Sequence, residues 1–148
     1  MGRGRPGLTR PTASPVPPAT SHPETASPLL LELHQSFAWF VIVGNGLAGV
    51  WSLGANWYPW LRTRALWWFT VVVEISIFIQ VAMGVALVAG QHVKAPKFHM
   101  FYGFVAIISV AIIYGYRDQI KAYRYLLYGG GGLFLMGLGI RAMLVGQT

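Results

Sequence analysis

Residues 65–90 read ALWWFTVVVEISIFIQVAMGVALVAG, 26 positions with one charged side chain, Glu74. As a helix this stretch is about 39 Å long at 1.5 Å per residue, more than the ~30 Å hydrocarbon core of a bilayer. Three further runs share its character. Phe37 to Trp60 carries no charge, Phe98 to Tyr116 is uncharged over 19 residues, and Tyr125 to Ile140 is uncharged over 16. The last reaches spanning length if Arg141 turns its guanidinium toward the interface and Ala142 to Val145 complete the crossing. The sequence therefore predicts an all-α integral membrane protein, a four-transmembrane-helix up-down bundle. The spans fall at about residues 35–58, 65–90, 98–116 and 124–145, and the short connections make successive helices antiparallel neighbours.

Composition agrees. Of 148 residues, 55% are apolar, 14% aromatic and 10% charged, where a soluble domain devotes about 25% to charge. The net charge of +7 sits between the apolar runs and not along one face, so we expect no nucleic-acid partner. With no cysteine, disulfide exchange, thiolate catalysis and Cys-ligated zinc are excluded for this chain.

Residues 1–33 are read as a disordered Pro-rich tail and 34–148 as the four-helix domain. Seven of the nine prolines fall within the first 28 positions, a composition that cannot bury a core. Leu29 to Leu31 is too short for the apolar region of a secretory signal, and Glu32 follows at once.

Aromatics gather at the connections: Trp57, Tyr58, Trp60, Trp67 and Trp68 around the first, Tyr116, Tyr123, Tyr125 and Tyr128 around the third. Both groups read as interfacial belts on one membrane face. That face also carries Arg62, Arg64, Arg117, Lys121 and Arg124, against Lys94, Lys97 and Arg141 on the other. The excess places connections one and three in the cytoplasm and both termini outside, in the plasma (inner) membrane.

Polar groups inside the spans are costly unless they face protein or a cavity. Asn45, Glu74 and Ser109 fall at similar depth near mid-membrane, a polar layer in which Glu74 is expected as the neutral acid, hydrogen-bonded to Asn45 or Ser109. Three histidines, His34, His92 and His99, fall at the outer end. At 100° per residue, His34, Ala38, Val41, Asn45, Ala48 and Ser52 form one stripe and His99, Gly103, Ala106 and Val110 another. Stripes that face inward bring His34 toward His99, with Gly103 one turn below His99 leaving room for a planar ligand such as haem b. A metal held by His92, His99 and Met100 is a second arrangement of the same residues.

The segment Gln80-Val81-Ala82-Met83-Gly84-Val85-Ala86-Leu87-Val88, a short loop and then His99-Met100-Phe101-Tyr102-Gly103 resembles the helix, loop and His-start pattern of small haem-bearing four-helix membrane proteins. These are the cytochrome b type membrane anchors and the halves of haem A synthase. The likeness covers the second and third helices, about a third of the chain. It implies a haem held by opposed histidines and traffic of electrons or quinone at the membrane.

Gly44-Asn45-Gly46 is no phosphate loop, because it lies inside an apolar span, and no Ser, His and Asp share a depth, so no intramembrane hydrolase is expected and no catalytic residue is assigned. Three functions remain. One is an accessory or assembly subunit of a larger membrane complex, respiratory complexes included, with lipid and other subunits or further copies as partners. The others are a haem b-binding redox protein and a small proton-coupled transporter that uses Glu74.

Overall fold

The computed structural model describes residues 1–2 and 28–147; the tail reading for residues 3–27 lies outside the described residues. Four helices follow: α1 (Pro28–Trp57), α2 (Arg64–Val85), α3 (Lys97–Tyr116) and α4 (Arg124–Gly146). All four, with the turns that extend α2 to Gly90 and α4 back to Lys121, are long and apolar enough to cross a bilayer. Helix α1 starts six residues before His34, so Pro28 to Leu33 are helical and not part of a tail. Pro28 is suited to that start, since the N–H it lacks would have had no partner in a first turn.

Each connection has a local cause. At the end of α1, Arg62 donates from Nε to the Ala55 carbonyl at 2.8 Å and from Nη2 to the Asn56 carbonyl at 3.0 Å, satisfying acceptors that a helix end leaves open. Pro59–Leu61 form a single 3-10 turn. The Thr63 hydroxyl then accepts the Leu66 N–H at 3.2 Å and caps α2. At its far end α2 widens into a π-turn over Ala86–Gly90. The chain reverses through His92, whose φ of 53° is the one positive value at a non-glycine among the described residues.

The interior is built from one face of each helix. Val41, Ile77, Val110, Ile113 and Leu135 form a buried cluster to which all four helices contribute, and Ala55, Leu66 and Tyr125 form a second toward the end that holds Arg62 and Arg124. The stripe read from α1 is its inward face: Val41, Asn45, Ala48 and Ser52 are all buried. Helices α1 and α4 share the broadest contact, α4 also packs on α3 and α1 on α2, while α2 and α3, though consecutive, touch much less. A Cβ placed on Gly132 would lie 2.8 Å from the Asn45 carbonyl oxygen and 2.9 Å from the Gly49 Cα, so the α1–α4 crossing is a backbone-to-backbone approach that requires glycine on both sides. The outer surface is strongly apolar, with Trp68 71%, Phe98 67% and Phe104 62% exposed.

Arg141 lies with its guanidinium 5.8 Å from the Tyr102 ring centre. Helix α4 continues past it to Gly146, so the shortest uncharged run belongs to a helix of ordinary spanning length.

Candidate functional site

One end of the bundle is formed by the start of α1, the end of α2, the start of α3 and the end of α4, which is the antiparallel alternation seen in contacts. Two imidazoles meet there. His34 from α1 and His99 from α3 have ring centres 6.0 Å apart, with planes at 63°. The other two helices brace them. From α2, the Gln80 side-chain amide donates to the His34 carbonyl at 2.9 Å and its nitrogen lies 3.5 Å from His34 Nε2. One turn on, a Cβ on Gly84 would come within 3.2 Å of His34 Cε1. From α4, the Ala142 carbonyl lies 2.8 Å from His99 Nδ1, and a Cβ on Gly146 would stand 2.8 Å from the same nitrogen. Gly84 and Gly146 thus leave the volume that the two rings fill.

The hydrogen bonds assign roles to the ring nitrogens. A carbonyl only accepts, so His99 Nδ1 carries the hydrogen, and in the neutral ring Nε2 keeps its lone pair. A histidine whose outer nitrogen is held this way is the usual arrangement of a metal ligand. At His34, Nδ1 is buried without a hydrogen-bond partner, as is Gln80 Oε1, and buried polar atoms left unmatched call for an explanation. Two imidazole nitrogens sharing one metal at about 2 Å each put their ring centres roughly 6 Å apart. The two rings stand edge to face at 6.0 Å, close to that centre-to-centre distance.

The remaining sequence expectations separate on this geometry. His92 is exposed and makes no contact with His99 among the described residues, and Met100 is 46% exposed. Their proposed metal set with His99 is not assembled, because neighbours on a helix diverge by 100° and the loop carries His92 outward. Among the described residues no three His, Cys, Asp or Glu side chains converge on a common point. A Cβ on Gly103 would meet only Val81 Cγ2, at 3.6 Å, so Gly103 lies against α2 and not between the imidazoles.

The mid-bundle layer is likewise not a network. Asn45 is buried and donates to the Val41 carbonyl at 2.8 Å and, more distantly, to the Val73 carbonyl of α2 at 3.5 Å. Ser109 donates back to Val105 at 2.7 Å, the usual recourse of a hydroxyl inside a helix. Glu74 is half-buried and makes no hydrogen bond or ion pair among the described residues. It shares a depth with Asn45 but follows the inward-facing Val73 by one residue, 100° around the helix.

Four residues of the histidine end escaped the sequence reading: Gln80, Gly84, Ala142 and Gly146. The first two carried a signal, being a polar residue and a glycine four apart on one face of an apolar run. Ala142 acts through its backbone, which leaves no mark in a sequence. Comparisons with protein-family models, with curated proteins and with solved structures found no match to this chain.

Proposed function

We propose that the chain is a small integral membrane protein whose four helices span the bilayer and hold a haem b between His34 and His99 for electron transfer at the membrane. The observation that carries this reading is the pair of imidazoles 6.0 Å apart, presented from opposite helices at one end of the bundle. A bis-histidine haem supplies a one-electron couple without demanding a substrate pocket. The protein's part is to hold two rings in register. Ala142 fixes the tautomer and direction of His99, and Gln80 holds the His34 turn against α2. Of the two rings, His99 on α3 belongs to the segment whose sequence resembles haem-bearing four-helix membrane proteins, while His34 on α1 lies outside it; opposed histidine donors are what that resemblance implies.

In this reading both termini face outward, the histidine end lies near the outer surface of the plasma membrane, and the arginine-rich connections face the cytoplasm. The deciding measurement is an absorption spectrum of the protein purified from a haem-replete host. We expect a Soret band that shifts on reduction, and its loss in His34→Ala and in His99→Ala. A colourless wild-type preparation would sink the haem assignment. It would favour the other reading, an accessory subunit, which draws on the face of α4 at Gly130 and Gly137, where a side chain would meet nothing within 4 Å and another membrane helix could approach closely.

A further inference from the structure

The end of the bundle opposite the histidines gathers Arg62, Arg64, Arg117, Lys121 and Arg124, and the one carboxylate there, Asp118, already faces Arg117 at 3.5 Å and Lys121 at 4.0 Å. Glu32 lies near the start of α1 and Glu74 midway along α2, so no described acid serves Arg62 or Arg124. Both cations nevertheless lie against the same ring. The guanidinium carbon of Arg62 lies 5.0 Å from the centre of the Tyr125 ring and that of Arg124 lies 5.1 Å from the same centre. Arg124 is also 5.2 Å from the Trp67 ring.

Two like charges on flexible stems drift apart unless something holds them, and both are held. Arg62 is tied to the last carbonyls of α1. Arg124 donates from Nη2 to the Tyr125 hydroxyl at 3.2 Å, and Tyr125 itself is buried, packed with Ala55 and Leu66. These tethers leave Arg62 Nη1 and Arg124 Nε and Nη1 without a protein acceptor among the described residues, while both side chains remain exposed. The aromatic rings they lie against attract cations but cannot neutralise them. A fixed, uncompensated pair of guanidinium groups is matched by an anion with several acceptor oxygens.

We propose that Arg62 and Arg124, both held against the Tyr125 ring, form a binding site for the phosphate of an anionic phospholipid headgroup. The interfacial tryptophans and tyrosines put this end at headgroup level, and the cytoplasmic leaflet it faces in the proposed orientation is the one rich in anionic lipid. The inference rests on the membrane reading and is independent of the haem.

The test uses the purified full chain in detergent, with phosphatidylglycerol, phosphatidylcholine or inorganic phosphate added, and reads the bound lipid by native mass spectrometry and the shift in thermal midpoint. Phosphatidylglycerol is expected to bind and stabilise where phosphatidylcholine does not, and Arg124→Gln to weaken that binding about tenfold or more. Arg62→Gln also removes two bonds at the end of α1, so its effect is read from bound lipid alone. Arg64→Gln removes the same charge from the same end without a contact to Tyr125 and is expected to retain the preference. A loss in Arg64→Gln as large as in Arg124→Gln, equal binding of the two lipids, or inorganic phosphate binding as tightly as the lipid would each overturn the site. Absence of a Soret band would bear only on the haem.

Discussion

Gln80 is the side chain that braces the His34 half of the histidine end. It stands on α2, yet its amide closes on the carbonyl of His34 at 2.9 Å and approaches that residue's ring at 3.5 Å, so the position of the His34 imidazole is set from a neighbouring helix. Groups that orient metal-bound histidines contribute about 10- to 100-fold to affinity. On the proposed haem reading, Gln80→Leu, close in volume but without the donor, is therefore expected to weaken haem binding by about that factor while leaving the protein folded. Titration of haem into the purified apo-protein measures it, and unchanged affinity would reduce Gln80 to a packing residue. Sequence spacing places Asn45 level with the Val73–Glu74 turn of α2, and the Asn45 approach to the Val73 carbonyl at 3.5 Å agrees with it, because the rise per residue is fixed. The pairing of Asn45, Glu74 and Ser109 was not legible, because it depends on rotation about each axis, which packing with the neighbouring helices sets. One position separates Val73, whose carbonyl approaches Asn45, from Glu74, which faces elsewhere.

At the scale of the helices, the apolar runs gave existence and length well: the fourth, uncharged over only 16 residues, belongs to a helix of 23. They gave partners poorly. Glycines crowd both α1 and α4, and composition alone does not tell which of them touch. Gly132 faces backbone, with the Asn45 oxygen 2.8 Å from where its Cβ would be, whereas Gly130, two residues earlier, would meet nothing within 4 Å. The pair gives a clean contrast. Gly132→Ala has no flexible side chain to displace and is expected to cost about 1–3 kcal/mol. Gly130→Ala is expected to be neutral or to stabilise by up to about 1 kcal/mol, the gain in helix propensity over glycine. Thermal unfolding of the two variants in the same detergent checks both signs, and equal effects would mean that α1 and α4 do not cross where Gly49 and Gly132 place them. The π-turn at Ala86–Gly90 and the left-handed His92 were not read from the sequence either.

For the whole molecule, the open question is which end faces the cytoplasm, and the chain's lack of cysteine makes it directly measurable. The charge excess at the arginine end is five to three, and each probe should leave it intact. Asp118→Cys in the third connection removes an acid whose partners are exposed surface cations, a change of little energetic weight that leaves five basic residues in place. Lys94→Cys in the second connection removes a basic residue from the opposite side and so widens the margin. Neither substitution can itself invert the protein by the charge rule. In right-side-out vesicles a membrane-impermeant maleimide is expected to label Lys94→Cys at once and Asp118→Cys only after the bilayer is opened. The reverse pattern would put the histidine pair at the cytoplasmic face and the Arg62–Arg124 site in the outer leaflet, where its proposed ligand is scarcer. Labelling of both from one side would leave an odd number of crossings between the two connections untenable, and with it the bundle as a four-span unit.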